Sequence, residues 1–513
     1  MGAVSIHFFW PFLVTSALVL LGLWDLAQTR HSLLRNYPII AHMRWLFEGI
    51  RPEIRQYFGE SDIGGRPFDR DTRSLVYERA KNEHAEEPFG TELDVYQPGY
   101  EWFTHSIAPK AKSESEFRVR LGGADCKRPY EISRLNVSAM SFGALSANAI
   151  RALNLGAKMG GFAHDTGEGG LTQYHLENGG DIIWELGSGY FGCRTKDGKF
   201  DPEKFRDKSN QDQVKAIHIK LSQGAKPGLG GVMPGAKVTR EIAEIRGVPE
   251  GVKCVSPPYH SAFSTPRELI EFVAQLRELS DGRPTGFKLC IGREREFLAI
   301  CKAMIDMDTY PDFITIDGGE GGTGAAPLEF ENNVGAPLTF GLVFAHNALV
   351  GAGLRDRIKI GCSGKVASGA DIAKRVVQGA DYCNAARAMM FALGCIQAQR
   401  CHTNHCPVGV ATQDPRREKA LVVPDKAERV HQFHANTVDA FNEIIAAIGL
   451  ADPAHLEPHH LRRRINFTEV RSYEDLFAWL EPGELIAGTD RPDWHRIWTN
   501  ADPDSFRFQP QDS

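Results

Sequence analysis

The middle of this 513-residue sequence alternates short apolar, β-branched segments with segments of helical pattern. The candidate strands are EISRLNVSAM (131–140), CVSP (254–257), GFKLCI (286–291), FITID (313–317), IKIGCSG (358–364) and ADYCNAA (380–386). The helical segments are 146–160, 265–280, 294–306, 338–353 and 369–380. Such alternation over about 300 residues predicts a parallel sheet. Six or more strand–helix units in one block favour a closed (β/α)8 TIM barrel of the α/β class over an open, doubly wound sheet.

The composition excludes several other classes of protein. The 59 basic and 65 acidic residues give a net charge of −6, whereas a general nucleic-acid binder needs a basic surplus to neutralise phosphates. Hydrophobic residues make up 42% of the chain, which excludes disorder as the main state. Ten cysteines in a chain of this length do not match a small secreted disulfide scaffold.

Residues 3–24 carry no charged side chain and form a segment of 22 residues. As a helix this segment would span about 33 Å, enough to cross a hydrocarbon core. A cleaved signal peptide would begin with a positive region, and residues 1–7 contain no Lys or Arg. The first arginines, Arg30 and Arg35, follow the segment and place the downstream side in the cytoplasm. We therefore expect a single-pass anchor, residues 1–28, in the cell (inner) membrane with a cytoplasmic catalytic domain.

Three further regions follow the anchor. Residues 29–110 are expected to form interfacial or docking helices and loops, since residues 36–60 mix aromatic side chains with arginines. The stretch 36–60 suits a helix at the lipid interface or an amphipathic helix packed on the main domain. Residues 111–425 are assigned to the barrel, and residues 426–513 to a helical C-terminal extension.

Three cysteines lie close together: Cys395, Cys401 and Cys406 form a C-x5-C-x4-C array that ends in Cys-Pro. Three thiolates within twelve residues can hold a soft metal centre. Zinc needs a fourth ligand, which His402 or His405 could supply. Three cysteines with a following proline favour a three-iron cluster.

Four glycine-rich strings precede the cysteine array: SAMSFGALS (138–146), HDTGEGG (164–170), SQGAKPGLGGVMPGAKV (222–238) and DGGEGGTGAAP (317–327). Any one of them could be an ordinary turn. Four such strings at the carboxyl ends of predicted barrel strands favour a ligand site, because glycine lets backbone N–H groups approach a phosphate or a flat ring.

Taken in order over about residues 130–415, these strings and the cysteine array followed by PVGVATQ resemble the FMN-binding synthase domain of glutamate synthases. The resemblance implies a (β/α)8 barrel that holds FMN beside a [3Fe–4S] cluster. In that family the cluster passes electrons to the flavin, which reduces an imine formed from 2-oxoglutarate and ammonia. The anchor joined to RHSLLRNYPI is similar to a stand-alone, membrane-tethered branch of the family.

The resemblance also implies roles for individual residues. Lys288, Ser141 and Gln223 are the expected catalytic residues, with Lys288 near the N1/O2 edge of the flavin and Gln223 bonded to its ring. The expected cofactor-binding residues are Ala139, Met140, Ser141, Gln223, Lys288, Gly321, Gly322, Thr323, Ser363, Gly364, Ala386 and Arg387, the last four toward the phosphate. Cys395, Cys401 and Cys406 are the expected cluster ligands.

The sequence departs from the family pattern at several places. Position 2 is not Cys and about 100 residues precede the barrel, so no glutaminase domain and no glutamine hydrolysis are expected. Leu229 stands where glutamate synthases carry Glu after Lys-Pro-Gly. Arg293 and Arg295 follow Lys288 and could hold substrate carboxylates or be solvated helix charges.

Lys288 lies in the apolar segment GFKLCI, where an unpaired ammonium would be costly to bury. An anionic partner is therefore expected. Reduced FMN is the partner that the resemblance implies, and a structural carboxylate such as Asp317 or Glu320 is the alternative.

The function expected is that of an FMN and iron–sulfur oxidoreductase acting on a keto acid and an amine. Ferredoxin or a membrane donor would supply electrons, membrane lipid would surround the anchor, and a homo-oligomer stays an open option. Two alternatives are an N-methylglutamate synthase-like enzyme and a membrane-tethered electron-transfer subunit without small-molecule chemistry.

Overall fold

The structure is a computed structural model that describes residues 2–83, 86–123 and 126–507, with side chains from residue 8 onward. The side chains of residues 3–7 of the expected anchor and the last residues, 508–513, of the expected C-terminal extension lie outside the described part. The chain divides into two units, Met1–Arg70 and Asp71–Ser513.

Eight parallel strands of the second unit close into a barrel. They are β1 (Leu135–Val137), β2 (His164–Asp165), β3 (Ile182–Leu186), β4 (Val214–Lys220), β5 (Thr285–Leu289), β6 (Phe313–Asp317), β7 (Lys359–Ser363) and β8 (Tyr382–Ala385). Sequential strands are neighbours, and β8 pairs with β1 to complete the ring. The closed parallel barrel confirms the expected TIM fold.

Helices cover the outside of the barrel. The principal helix after each strand is, in order, Ala147–Gly160, Gln173–Leu176, Pro202–Ser209, Pro266–Leu279, Glu294–Met307, Leu338–Gly351, Gly369–Val377 and Val423–Ile448. Shorter helices lie in the connections: Gly235–Lys237, Arg240–Arg246, Leu328–Asn333, Arg387–Ala392 and Pro415–Glu418. Their starts follow local capping chemistry: Thr265 accepts a hydrogen bond from the Glu268 N–H, and Pro266 occupies the first turn.

Three barrel strands were not among the sequence predictions, and one predicted segment lies elsewhere. Strand β2 is only two residues long, and β3 and β4 carry charged side chains that interrupt the apolar pattern. The prediction that CVSP continues the parallel series is wrong. Cys254–Val255 pairs antiparallel with Val232–Met233 outside the barrel, in the long connection that follows β4.

A hairpin closes the amino end of the barrel. Strands Val119–Leu121 and Tyr130–Ile132 pair antiparallel, and their apolar side chains pack into one buried cluster with Phe313 and Tyr382 of the barrel interior. Gly361 leaves the space for this packing, since a Cβ there would lie 2.5 Å from the Tyr382 ring. The segment EISRLNVSAM is thus divided between the hairpin and β1.

The remainder of the second unit flanks the barrel. Helix Arg70–Lys81 precedes it, and strand Glu101–Phe103 pairs with Leu461–Arg464, which pairs with Val470–Ser472. Short helical segments complete the C-terminal extension: Pro453–His455, Pro458–His460, Tyr473–Leu476, Glu484–Ala487 and Pro492–Thr499. The extension is therefore mostly helical, as expected, and it also supplies two strands.

The first unit consists of helices Gly2–Ala27, Ser32–Asn36 and His42–Ile54, and the π-helical turn Arg55–Gly59. Within the described residues, one helix, Phe8–Ala27, is long and apolar enough to cross a membrane. Asp25, near the end of this helix, holds the following segment against it. Its carboxylate accepts a hydrogen bond from the Ile39 N–H at 2.8 Å and pairs with His42 at 2.9 Å.

Candidate active site

All four glycine-rich strings lie at the carboxyl end of the barrel. The string 138–146 follows β1, 164–170 contains β2, 222–238 follows β4, and the string 317–327 starts at the last residue of β6. A parallel barrel brings the carboxyl ends of its strands to one face, where TIM-barrel active sites lie. The placement expected from the sequence is therefore present in the structure.

Glycines allow these loops to touch one another. A Cβ at Gly224 would overlap the carbonyl oxygen of Gly318, which joins the loops after β4 and β6. A Cβ at Gly167 would lie 2.7 Å from the Ser141 nitrogen and 3.0 Å from the Met140 carbonyl carbon. Met140 and Ser141 are thus packed against the second string, directly after Ala139 in the chain, and the mouth of the barrel is ringed by backbone.

Gln223 holds a buried donor in this ring. Its amide nitrogen Nε2 is buried and has no hydrogen-bond partner. Leaving a buried donor unpaired costs free energy, and most such groups in proteins are paired. A bound group that presents an acceptor here, as a flavin ring would, fits this site.

Lys288, from β5, is buried and forms an ion pair with Glu185 from β3. Burial alone would lower the pKa of Lys288, but the charges of Glu185, Asp317 and Asp165 raise it above its ordinary value. The ammonium therefore stays protonated. Glu185 was not among the sequence predictions, because a single acidic residue in an apolar strand forms no motif.

A second buried pair lies next to the first. His218 Nδ1 is 2.8 Å from Asp165 Oδ2, and ligand atoms of Asp165, Glu185 and His218 all lie within 4.8 Å of one another. Burial would raise the pKa of Asp165, but the hydrogen bond and charge of His218 and the charge of Lys288 lower it. Asp165, Glu185 and His218 could together bind a metal ion. In this structure the Lys288 ammonium supplies the positive charge that balances the buried carboxylates.

The predicted phosphate residues lie at the carboxyl end of β7 and directly after β7 and β8. Ser363, the last residue of β7, donates its hydroxyl hydrogen bond to Asp317, and Gly364 comes directly after it. Ala386 precedes helix Arg387–Ala392. The Arg387 guanidinium donates to the Thr323 carbonyl at 2.8 Å and lies 3.8 Å from Cys401 Sγ. Arg387 therefore joins the fourth string, with Gly321, Gly322 and Thr323, to the cysteine array.

The three cysteines of the array lie near one another. Burial raises the pKa of the Cys395 thiol to about 11, and the neighbouring Cys401 and Cys406 add to the rise. Three neighbouring thiols can supply the thiolates of a soft metal centre, and the three-iron cluster stays a prediction.

Two cations flank the array. Lys237 donates to the Ala144 carbonyl at 2.9 Å. Burial lowers its pKa to about 8, and the charges of Cys401 and Cys406 oppose that fall. With Arg387, Lys237 gives the three thiols a cationic setting, which favours thiolates as metal ligands.

The arginines after Lys288 do not enter the site. Arg295 is buried and donates to the Phe506 and Arg507 carbonyls at 3.0 and 3.3 Å. Arg293 is exposed and lies 3.8 Å from Glu296. Of the two options, Arg293 matches a solvated helix charge, whereas Arg295 binds the C-terminal segment.

Four charged residues at the mouth were not among the sequence predictions: Glu168, Lys220, Lys226 and Arg246. Lys220 Nζ lies 3.3 Å from Glu168 Oε2, and Arg246 contacts Ser141 Oγ at 3.4 Å. Two of them could have been predicted from the sequence, because Glu168 and Lys226 lie inside the glycine-rich strings that mark the site.

The chain is similar to known proteins over most of its length. Residues 106–451 match the model of the family described as the conserved region in glutamate synthase. The chain is 37% identical over 478 residues to the glutamate synthase large subunit-like protein YerD of Bacillus subtilis, covering 85% of this chain and 90% of that protein. It is 36% identical over 316 residues to the archaeal glutamate synthase [NADPH] of Methanocaldococcus jannaschii, covering 61% of this chain and 58% of that enzyme.

The chain thus spans less than two thirds of the archaeal enzyme. A solved structure of a mutant flavocytochrome b2 with pyruvate bound aligns over 76% of this chain and 82% of its own length, with 12% identity and a TM-score of 0.44. A likeness at that level carries no argument about function.

Proposed function

Because the chain belongs to the glutamate synthase family of oxidoreductases, we propose that it uses FMN and an iron–sulfur cluster to reduce the imine formed from 2-oxoglutarate, or a related keto acid, and an amine. The observation that carries the proposal is the position of Arg387. Its guanidinium contacts the Thr323 carbonyl and the Cys401 sulfur together, so the glycine-ringed mouth and the cysteine array form one continuous site.

In this proposal FMN supplies the two-electron reduction of the imine and a [3Fe–4S] cluster supplies single electrons. The free amide N–H of Gln223 would hold the flavin ring. The backbone of 139–141 would border the ring, and Ser363, Gly364, Ala386 and Arg387 would face the phosphate. Cys395, Cys401 and Cys406 would supply the thiolates, with Lys237 and Arg387 stabilising their negative charge.

Lys288 would act as a fixed cation in the barrel interior. A positive charge near the flavin favours the anionic reduced ring. Since Glu185 neutralises part of this charge, the field at the ring would be weaker than that of an unpaired lysine.

Electrons would come from a ferredoxin or a membrane donor. The helix Phe8–Ala27 would hold the chain at the membrane in contact with lipid, with the barrel in the cytoplasm. Helix His42–Ile54 has no buried residue and exposes Trp45, Leu46 and Phe47, which supports its role as an interfacial helix.

The test is anaerobic. The purified protein is reduced and then mixed with 2-oxoglutarate and ammonium while flavin absorbance is recorded. Reoxidation that requires both compounds, with glutamate as product, is the expected result. Reoxidation by an alkylamine and not by ammonium would favour the N-methylglutamate synthase-like reaction, and no reoxidation with any keto acid and amine would favour an electron-transfer subunit.

A further inference from the structure

A cavity of about 370 Å³ lies at the amino end of the barrel. Arg134 directly precedes β1, Lys359 begins β7 and Asp381 directly precedes β8, and all three residues line the cavity. Since the glycine-rich loops lie at the carboxyl ends of the strands, the cavity is separate from the candidate active site. Ligand pockets in proteins measure about 300–1,000 Å³, so this cavity has room for a small molecule.

The C-terminal extension completes the wall of this cavity. Pro453 and Leu456 are buried, whereas Ala454 is exposed and marks the opening to solvent. With Val376 and Ala380 they give the cavity the apolar part of its lining. The match to the family model ends at residue 451. The cavity is therefore formed by the barrel and its extension together, and not by the conserved region alone.

Positive charge exceeds negative charge in the lining. Among the described residues it contains one carboxylate, that of Asp381, and five cationic side chains: Arg118, Arg120, Arg134, Arg355 and Lys359. Three of the cations are in ion pairs: Arg118 with Glu116, Arg120 with Glu131 at 3.7 Å, and Arg355 with Asp381 at 2.8 Å. In the described part of the chain, Arg134 and Lys359 have no carboxylate within ion-pair distance. Buried charges are normally paired, so these two cations leave room for an anion.

Arg134 is held in place by contacts that do not neutralise it. The side chain is 8% exposed, and its Nε and Nη1 each donate at 2.6 Å to a backbone carbonyl, those of Phe117 and Asp381. Asp381 and Asp452 act on the guanidinium through charge, without a hydrogen bond from their carboxylates. The third nitrogen, Nη2, makes no hydrogen bond with the described residues. A fixed guanidinium with a free N–H group can donate to a bound anion.

Lys359 is half-buried, and its ammonium makes no hydrogen bond or ion pair with the described residues. We propose that the cavity binds a small organic phosphate, with the phosphate on Arg134 and Lys359 and the apolar part of the molecule against Val376, Ala380 and Leu456. A phosphate monoester carries a charge of about −1.5 to −2 at pH 7, which matches the two cations without a carboxylate partner. The inference does not rest on the proposed function.

The experiment is a calorimetric titration of the purified, full-length protein in detergent at pH 8 with phenyl phosphate, a small phosphate monoester with an apolar ring. Phenylacetate, which has a similar ring and one negative charge, and inorganic phosphate, which has no ring, are the comparisons. We expect one phenyl phosphate to bind per chain, about tenfold or more tightly than either comparison. Equal affinity for either comparison, or no binding of phenyl phosphate, would overturn the proposal.

Two variants test the location of the bound phosphate. Lys359→Met removes a cation, and Ala454→Trp fills the cavity from its exposed edge without changing the charge, so each should weaken phenyl phosphate binding about tenfold or more. Lys359→Arg keeps the charge and should retain binding. The matched control is Lys302→Met on the outer helix Glu294–Met307, where the lysine donates to the Ala501 carbonyl at 2.9 Å; it should bind as wild type does. Unchanged binding in Lys359→Met or in Ala454→Trp would place the ligand elsewhere and overturn the proposal.

Discussion

Lys288 and Glu185 form an ion pair across the barrel interior, from strands that do not adjoin. Lys288 on β5 is aligned with Lys220 of β4, and Glu185 on β3 is aligned with His218 of β4. The pair therefore spans the intervening strand, and both side chains are at most 5% exposed. The charge of Lys288 in the apolar segment GFKLCI is thus partly neutralised within the protein.

Breaking this pair should destabilise the fold. Lys288→Met leaves the Glu185 carboxylate buried and unpaired, which should lower the free energy of unfolding by about 3–5 kcal/mol. Adding Glu185→Gln removes the unpaired carboxylate and should restore much of the lost free energy of unfolding. Urea unfolding followed by circular dichroism measures both variants. A double variant as unstable as the single one would show that the pair does not account for the loss.

Glu185→Gln alone should raise the midpoint potential of the bound flavin. The substitution leaves Lys288 without its neutralising partner, so its charge would stabilise the anionic reduced ring more strongly. A gain of about 1.4 kcal/mol corresponds to about 30 mV for a two-electron couple. Spectroelectrochemical titration compares variant and wild type. An unchanged potential with FMN fully bound would mean that Lys288 does not act on the flavin.

Cys401→Ser should remove iron and leave FMN in place, because one of only three thiolates of the array is lost. Iron analysis and low-temperature EPR of anaerobically prepared protein measure the effect. Cys126→Ser is the matched control, since Cys126 bonds the Gly282 carbonyl through its thiol, far along the chain from the array. Stoichiometric zinc without iron in the wild type would contradict the cluster assignment.

Deleting residues 1–27 should give a protein that stays in solution without detergent and still binds FMN. The deletion removes helix Gly2–Ala27, which contains the only candidate span among the described residues. Fractionation of cell extracts and flavin absorbance of the truncated protein provide the measurement. Recovery of the full-length chain without detergent would show that the helix is not an anchor.

Acid should destabilise the fold through buried histidines. Burial lowers the pKa of His434 to about 3 and that of His260 to about 4, from 6.5. Below about pH 6.5 the unfolded chain binds protons on these rings and the folded chain does not, so the free energy of unfolding falls as pH falls. The expected slope is about 1.4 kcal/mol per pH unit for each ring. Denaturant titrations between pH 7 and 5 should show a shallower slope for His434→Gln.

The barrel was predictable because its signals are local. Strands β5 and β6, at GFKLCI and FITID, are apolar runs separated by a segment of helical pattern, and the helix that precedes β5 has a clear start at Thr265. Strand β2 was missed because it is only two residues long, and β3 and β4 were missed because polar and charged side chains interrupt their apolar pattern. Only the closed barrel shows how these side chains pair. Strand CVSP has the composition of a barrel strand but lies in a connection, a difference that depends on long-range pairing.

The candidate site divides in the same way. The four glycine-rich loops and the three cysteines of the array could be predicted, because each motif is contiguous in the sequence. The partner of Lys288 was not found, since Glu185 lies 103 residues away and no pattern links the two. The expected partners Asp317 and Glu320 are near in sequence, but of these only Asp317 acts on Lys288, through its charge.

The small sheet beside the barrel has a consequence for engineering the chain. Strand Glu101–Phe103 enters the catalytic region and Leu461–Arg464 leaves it, and the two are hydrogen-bonded neighbours, about 5 Å apart. A short linker could therefore join these ends, and new termini could be opened in an exposed loop elsewhere. In such a circular permutant, a membrane anchor or another fusion partner could be attached at whichever exposed loop carries the new termini.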